Sequence, residues 1–470
     1  MKSKFIKKNF QILAKFLSII YKILPFFGGM YCYYPAFKGQ NERIYPLLDA
    51  VYASLKLYGG STENGIVVGG LLEISRFLAL AATFSILMNV FNKMGDVVDW
   101  LKLRLAGSTV IYGNSSYAEY MFESLAPRLR LRGEEKLIKN ASRHLLMFSD
   151  DTQNLEFYNQ NYEFLKDKNV YIMLEDISRQ NIENPLITVF SIAENCARQY
   201  WRDYPVEKSE KIAIVGFGNV GKNILLYGLQ MNLIDPGQHF EYHVYGDGTE
   251  FRREHTELDK MDPDQIIFHD DGIYGYTEMA EFDRIIICGS TNESCNIAVV
   301  SKLLAAAPVN RQIYIYTPNG DIITNLFGKD RLICFGTAKE MVSIDIILNE
   351  KSMKAARKQH EFYVKQYGGT PWEKLDCFKR YSNVSSSDYM YMVNRLFERG
   401  LPWDRIAELE HIRWCRYHYI HNWKYGAETD SSKRIHNCLV PFAELSEEEK
   451  LKDIEAIKSK LQNDEEKEKR

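Results

Sequence analysis

The sequence predicts a membrane-anchored α/β protein with N-terminal transmembrane helices, two tandem parallel-sheet units and a mainly helical C-terminal domain. Three observations support this fold class. Long apolar segments are confined to residues 1–100, strand and helix patterns then alternate to about residue 350, and helical, aromatic-rich patterns follow from residue 351. A chain of 470 residues also exceeds what a single hydrophobic core usually supports.

Composition excludes several classes of protein. The formal net charge is −3, so no bulk basic field attracts nucleic acid, and we expect no nucleic-acid partner. The eight cysteines stand singly, without the paired spacing of a disulfide framework or a zinc knuckle. We expect most of them to be reduced, buried and inert.

The more apolar of the two N-terminal segments runs from Gly65 to Phe91. At about 1.5 Å per residue it is long enough to cross a hydrocarbon core of about 30 Å as a tilted helix. Glu73 and Arg76 lie three residues apart within it, so their opposite charges can meet on one helical face. The alternative interpretation is a buried helix of a soluble protein.

The other apolar segment covers residues 10–30. Lys15 and Lys22 recur on nearly the same helical face, which suits either a first membrane span or an interfacial helix. Two spans would make the chain a multi-pass membrane protein in contact with lipid. Basic residues outside both segments then place the N- and C-termini in the cytoplasm: Lys7, Lys8, Lys93, Lys102 and Arg104.

Between these segments, residues 44–65 form a short aromatic-rich helical pattern that runs into a glycine pair. Its place between two spans resembles the pore helix and filter of a two-span cation channel. The filter positions would be Tyr58, Gly59, Gly60 and Ser61, although they depart from the T-V-G-Y-G string whose carbonyls replace the hydration shell of potassium. A structured external loop is the alternative interpretation.

The first α/β unit is predicted over residues 101–206. Strand patterns begin at Ser108, His144 and Asn169, with helical patterns between them. Only Gly113 stands where a dinucleotide-binding turn has three glycines, so close approach of a pyrophosphate is not expected here. We interpret this unit as a structural or dimerising copy.

The second unit, residues 207–350, carries the complete glycine pattern. The strand Ile212–Val215 leads into a G-x-G-x-x-G turn and then a helix, the context that makes this fingerprint specific for a Rossmann fold. The first glycine makes the tight turn, the second lets a phosphate approach the free helix amides, and the third allows close packing. The predicted binding residues are Gly216, Phe217, Gly218, Asn219, Val220 and Gly221.

Further candidates follow the later strands of this unit. Asp247 is the first acidic residue after the second strand and would bind ribose hydroxyls, the alternative being a turn-capping aspartate. Ligands of such sheets lie beyond the carboxyl ends of the strands, near Asp270 and the segment that contains Gly289, Ser290 and Thr291.

The two tandem units resemble TrkA-N, or regulator-of-potassium-conductance, domains over Ser108 to about Leu348. The segment Cys288–Asn296 is similar to the strand, small polar turn and Asn-initiated helix of that family. The resemblance implies nucleotide-responsive gating modules that assemble as rings beneath a pore. It therefore implies that the chain forms a homo-oligomer, with a tetramer favoured. It also implies NAD or a related adenine nucleotide as a regulatory ligand.

From residue 351 to 461 the chain resembles a ryanodine-receptor repeat (RyR) domain. The ordered matches are His411, Trp414, Trp423 and Tyr425, then Leu439-Val440-Pro441 and the acidic helix start at Leu445. Where that repeat has glycine before its second aromatic residue, this chain has Asn422, which a left-handed helix cap tolerates. Residues 462–470 form a charged tail, expected to be frayed.

The resemblance to RyR domains implies a nucleotide-derived ligand, and the residue types suit one. Trp414 and Trp423 can stack on a base, Tyr425 lies beside them, and Arg413, Arg416, Lys424 and Lys433 can contact phosphates. The alternative is that both tryptophans are core and the basic residues form a solvated face. His411, His418 and His421 supply no metal-ligand set by their spacing, so no metal is predicted.

The function favoured by the sequence is a membrane ion channel, or channel-like effector, opened by a nucleotide or NAD-derived ligand and not an enzyme. A tethered NAD-dependent oxidoreductase is one alternative, but His243, Glu257 and Lys260 form no convincing acid–base pair and no catalytic residue is predicted. A non-conducting nucleotide sensor, anchored by its membrane segment, is the other alternative.

Overall fold

The computed structural model describes the chain except for residues 1, 41–43, 64–68, 106–107, 126–129, 133–135, 139–140, 176–183, 185, 274–275, 290–292, 307–312, 319, 328–331, 349 and 469–470. It divides into two compact units, Met1–Leu105 and Ala106–Arg470. Each unit has its own hydrophobic core among the described residues.

The N-terminal unit consists of three helices: α1 (Lys2–Lys38), α2 (Pro46–Lys56) and α3 (Gly70–Leu105). Within the described residues, Gly70–Met88 is the one stretch long and apolar enough to cross a membrane. α3 begins at Gly70, whereas the apolar pattern starts at Gly65, and it continues well beyond Phe91. A multi-pass topology therefore stays a prediction.

The first parallel sheet contains five strands, in the spatial order β2-β1-β3-β4-β5. They are β1 (Thr109–Tyr112), β2 (Arg130–Arg132), β3 (Arg143–Leu146), β4 (Asn169–Met173) and β5 (Ile187–Phe190). The helices are α4 (Ser116–Ser124), α5 (Asp151–Gln160), α6 (Tyr162–Leu165) and α7 (Ile192–Asp203). The strands predicted at Ser108, His144 and Asn169 are confirmed as β1, β3 and β4.

The second parallel sheet contains six strands: β6 (Lys211–Val215), β7 (Glu241–Tyr245), β8 (Gln265–His269), β9 (Arg284–Ile287), β10 (Ile313–Tyr316) and β11 (Leu332–Phe335). Its order, β11-β10-β9-β6-β7-β8, is the doubly wound order of dinucleotide-binding folds. Its helices are α8 (Asn219–Met231), α9 (Thr249–Glu254), α10 (Glu293–Ala306), α11 (Gly320–Phe327), α12 (Ala338–Met341) and α13 (Ile344–Ile347). The parallel α/β prediction is confirmed.

The C-terminal region is mainly helical, with α14 (Lys351–Tyr367), α15 (Cys377–Glu398), α16 (Trp403–Ile420) and α17 (Glu447–Glu468). The short strands β12 (Lys424–Tyr425) and β13 (Ile435–His436) pair after α16. α17 continues to Glu468, so the backbone of the predicted tail is helical for most of its length.

The C-terminal helices do not fold as a separate body, because they share a continuous core with both sheets. Tyr389 and Ile406 are buried in the same cluster as Ile224 of α8 and Ile214 of β6. The Tyr389 hydroxyl also donates to the Leu233 carbonyl just after α8, at 2.6 Å. A change in the packing of the C-terminal helices therefore affects α8 directly.

Candidate ligand sites

The glycine turn has the close packing that its pattern predicts. A Cβ on Gly216, where φ is +92°, would lie 1.8 Å from the Cα of Gly289 at the end of β9. A Cβ on Gly221 would lie 2.2 Å from the Gly216 carbonyl oxygen. Both positions require glycine because backbone occupies the space of a side chain.

Gly218 differs from its two neighbours because nothing lies within 4 Å of a Cβ built on it. It is the N-cap of α8 and has no side chain to occupy the first amides of that helix. In the first α/β unit, by contrast, the Ser115 hydroxyl caps α4 by accepting a hydrogen bond from the Ala118 amide at 3.1 Å. The start of α8 is thus open to an anion, while that of α4 is closed by its own residue.

Two residues predicted to bind at the turn face the core with their side chains. Phe217 is buried and packs edge to face against Phe251 and Phe268, with ring centroids 4.9 and 5.7 Å apart. Val220 is also buried in the core. Any contact that Phe217 or Val220 makes with a ligand is therefore through the backbone.

The candidates beyond the other strands are arranged as caps. Asp247 is exposed, and its carboxylate accepts a hydrogen bond from the Thr249 amide at 2.9 Å; this bond lowers its pKa. Asp270 accepts from the Gly248 amide at 2.9 Å and pairs with Arg252 at 2.8 Å. The capping alternative for Asp247 is therefore the one seen, and a ribose contact stays a prediction. Ser290 and Thr291 lie outside the described residues.

A cavity of about 500 Å³ lies among the C-terminal helices. Its volume is in the range of small-molecule sites. Its walls come from α14, α15, α16, α17 and the segment between α16 and α17, and its aromatic lining includes Tyr363, Phe378, Trp414, Trp423 and His436. Trp423 stacks on Phe378, with centroids 5.0 Å apart and ring planes 20° apart. Trp414 and Trp423, which the sequence predicts as base-stacking residues, are brought together in this one cavity.

His418 joins the two tryptophans. Its ring centroid lies 4.0 Å from that of Trp414 and 5.2 Å from that of Trp423. Burial lowers its pKa to about 3, so the imidazole is neutral at pH 7. Nδ1 lies 2.8 Å from the Trp414 carbonyl oxygen and must donate to it, which leaves Nε2 as an acceptor.

Arg413 also lines the cavity, but its guanidinium is engaged by the protein. It donates to Glu410 at 2.7 Å and to the Ser385 hydroxyl at 2.8 Å. Ser385 in turn donates to the Gln230 side-chain oxygen at 2.7 Å. Gln230 belongs to α8, so a chain of hydrogen bonds runs from the cavity wall to the helix that begins at the glycine turn.

Four of the residues predicted to contact a ligand in this domain do not line the cavity, so a ligand contact at these positions stays a prediction. Arg416 is buried, where it pairs with Asp264 at 2.6 Å and donates to the carbonyl of Leu229. The others are exposed at the surface, where the two lysines pair with Glu257 and Asp430: Lys424, Tyr425 and Lys433. A basic residue type at helical spacing does not reveal which face of the helix it lies on.

Sequence reasoning missed half of the cavity, the half that α14 and α15 supply. Phe378, Ser382 and Ser386 line it, and so do Lys379 and Asn383. Both sets recur every four residues, which places each on one helical face. This four-residue period was the signal in the sequence that could have revealed these lining residues.

Asn422, predicted to tolerate a left-handed cap, has φ of +61°. Its side chain also donates a hydrogen bond to the Glu254 carbonyl at the end of α9, at 2.7 Å.

The predicted filter residues form a closed turn after α2. A 3-10 turn covers Leu57–Gly59, and Gly60 has φ of +77°. The Tyr58 carbonyl accepts a hydrogen bond from Thr83 and the Gly60 carbonyl accepts one from Arg76, each at 2.9 Å. The Ser61 amide donates to the Lys56 carbonyl at 3.2 Å.

These bonds favour the structured-loop alternative for residues 58–61. Carbonyls bonded to α3 side chains do not form the free oxygen row of a potassium filter. The Arg76 guanidinium beside the turn also lies 3.7 Å from Glu73, the ion pair that their spacing predicts.

The histidines of α16 and its C-cap form hydrogen bonds to main-chain carbonyls. His411 contacts the Val440 carbonyl at 2.9 Å, and His421 contacts the Tyr417 carbonyl at 2.6 Å. Burial opposes protonation of His411, but Asp453 and Cys415 outweigh it and raise its pKa to about 10. Within the part of the chain that the structure describes, no group of three or more His, Cys, Asp or Glu side chains is arranged to hold a metal ion.

Residues 402–463 match the RyR domain family model. This confirms the C-terminal resemblance over those residues, while the TrkA-N resemblance stays a prediction. The match begins at Pro402, so the RyR domain proper contains α16 and most of α17, and α14 and α15 precede it. No curated protein matches the chain.

Solved structures similar to this chain include three of GsuK. The GsuK channel is 12% identical, with 72% of this chain and 98% of that chain covered and a TM-score of 0.38. GsuK bound to ADP is 12% identical, with 73% and 99% covered and a TM-score of 0.36. A GsuK mutant is 13% identical, with 73% and 99% covered and a TM-score of 0.37. At these values the likeness supports no inference about ligand or activity.

Proposed function

We propose that this chain is a nucleotide-regulated membrane effector, in which a ligand bound among the C-terminal helices biases the Rossmann unit and, through it, an ion channel or channel-like membrane segment. The observation that carries the proposal is the hydrogen-bonded chain from Arg413 through Ser385 to Gln230 of α8. It links an aromatic cavity suited to a base with the helix whose N-terminus suits a phosphate.

The physical requirement is that the ligand binds two arrangements of the protein with different affinity, because otherwise no equilibrium shifts. Glu410 is placed to make the protein's arrangement depend on ligand binding. It binds the Ser386 hydroxyl and Arg413 together at the cavity wall. A ligand that displaces one of these partners would change the pairing of Arg413, and hence the Ser385 contact to α8.

The other candidate function, a tethered oxidoreductase, shares the glycine turn and differs in what happens to the cofactor. It predicts that reduced nicotinamide cofactor is consumed with a suitable acceptor. The regulatory proposal predicts binding without turnover. The two acidic candidates that follow the strands beside the turn, Asp247 and Asp270, accept hydrogen bonds from the Thr249 and Gly248 amides as caps.

Nucleotide binding is tested on the full-length chain in detergent by thermal unfolding with NAD, ADP-ribose and AMP. Saturation at about a hundred times the Kd should stabilise the protein by roughly 2.7 kcal/mol for at least one of them. Trp414→Ala should reduce or remove the part of this shift that arises in the cavity. Trp403→Ala is the matched control, because Trp403 lies on the same helix, packs on Phe397 and does not line the cavity. No shift with any nucleotide would contradict the proposal.

A further inference from the structure

One residue that lines the cavity carries a buried polar atom without a hydrogen-bond partner among the described residues. Gln359 of α14 lines the cavity and is 5% exposed. Within the described part of the chain, its Oε1 is enclosed and accepts no hydrogen bond. Leaving such a group unsatisfied costs free energy, roughly 1–3 kcal/mol. The buried amide is therefore a feature that stability alone does not favour.

The surroundings of Gln359 narrow the kind of molecule that would satisfy it. Stacked aromatic rings of Phe378 and Trp423 offer an apolar face to a planar ring. Cations are scarce in the lining. Arg413 is held by Glu410 and Ser385. Lys379 is the one lysine among the described lining residues. It is exposed, and its Nζ lies 3.7 Å from Asp376. The lining thus suits a flat heterocycle with hydrogen-bonding edges better than a polyphosphate.

A carboxamide presents an acceptor and a donor side by side. This matches the N6/N7 edge of adenine, where the exocyclic amine donates and N7 accepts. At the same edge hypoxanthine presents two acceptors, O6 and N7, so it has no group there that donates to Oε1. The assignment of O and N within an amide follows the hydrogen-bond network, and a ligand that pairs with both atoms satisfies either assignment.

We propose that Gln359 is the specificity-determining residue of this cavity and selects an adenine mononucleotide by pairing with the amine edge of the base. The inference rests on the proposed function for the cavity itself. It assigns recognition to α14, which lies before the residues that match the RyR domain. Lys379, at the exposed side of the lining, is the residue placed to contact the phosphate.

The test compares AMP with IMP, whose bases differ at the N6/N7 edge in the exocyclic group and elsewhere in the proton on N1. Binding is measured on the full-length chain carrying Gly218→Asp, so that the glycine turn does not contribute. We expect AMP to bind roughly tenfold or more tightly than IMP. Gln359→Met, which keeps the length of the side chain and removes the amide, should abolish this preference. Gln359→Asn, which withdraws the amide by one carbon, should reduce it.

The matched control is Gln366→Met, the same substitution at an exposed position of the same helix, and it should leave the preference unchanged. A second readout separates recognition from a structural role. Without ligand, Gln359→Met should unfold at the same or a higher temperature than its parent, because an unsatisfied buried group is removed. A residue that merely supports the fold would destabilise the protein when it is replaced.

The outcomes distinguish this inference from the proposal on which it rests. If AMP and IMP bind equally, or if Gln359→Met keeps the preference, the inference is overturned, while the cavity's proposed role stands as long as Trp414→Ala still weakens nucleotide binding. If neither nucleotide binds the Gly218→Asp protein, both the inference and the cavity's proposed role are overturned.

Discussion

Gly218→Asp is expected to abolish binding of NAD and ADP-ribose at the glycine turn without weakening the fold. The new carboxylate would stand at the N-cap of α8, where it accepts hydrogen bonds from the first amides and neutralises the positive end of the helix. It would thus occupy the atoms that a phosphate needs and repel the phosphate charge. We expect at least about a hundredfold loss of affinity, which corresponds to about 2.7 kcal/mol.

Stability should change in the opposite direction. Aspartate is a preferred N-cap residue, and Gly218 has φ of −77° with open space around it, so the variant should be as stable as the parent or slightly more stable. Gly218→Asn is the control, since it caps the helix without a charge and should lose less affinity. Binding is followed by titration calorimetry. Unchanged affinity in Gly218→Asp would place the ligand elsewhere.

Asp264→Asn is expected to lower the free energy of unfolding strongly, because it breaks a buried ion pair. The Asp264 side chain is fully buried, pairs with Arg416 at 2.6 Å and accepts from the Phe240 amide at 2.9 Å. Removing its charge leaves the Arg416 guanidinium buried with carbonyl oxygens as its main partners. Breaking a buried ion pair in this way lowers the free energy of unfolding by about 3–5 kcal/mol. It would also weaken the attachment of α16 to the second sheet.

The control for this variant is Asp262→Asn, two residues away, because the Asp262 side chain is exposed and its carbonyl is the group that contacts Arg416. It should change the free energy of unfolding by less than about 0.5 kcal/mol. The double variant Asp264→Leu with Arg416→Met should recover much of the lost stability, since it removes both buried charges. Denaturant unfolding measures all three. Equal stability of Asp264→Asn and the parent would show that the ion pair does not anchor α16.

Where local pattern determines structure, the sequence was sufficient. Most strands of both sheets follow from short apolar or β-branched runs, whereas β2, with the sequence Arg-Leu-Arg, does not. At the glycine turn, backbone packing explains Gly216 and Gly221, and the open N-cap of α8 explains Gly218. Asn422 is the same kind of case, because a left-handed φ restricts residue type. In the first unit, where only Gly113 stands in place of the three glycines, the start of α4 is capped by Ser115.

Where structure depends on which helical face meets which neighbour, the sequence was not sufficient. Arg413 and Arg416 are three residues apart, yet one lines the cavity and the other pairs with Asp264 in the second sheet unit. The sequence of α16 alone does not indicate that Arg416 pairs with a residue more than a hundred positions earlier in the chain. The hydrogen bonds that close the turn at Tyr58 and Gly60 likewise come from α3, beyond the reach of a motif comparison.

Current across a planar bilayer containing the purified full-length protein tests the central claim most directly. The claim predicts that a nucleotide shown to bind changes the current through the wild-type protein and the Trp403→Ala control. The same nucleotide should leave the current through Trp414→Ala unchanged at equal protein density. A wild-type protein that binds the nucleotide tightly and yet shows no nucleotide-dependent current would contradict the account.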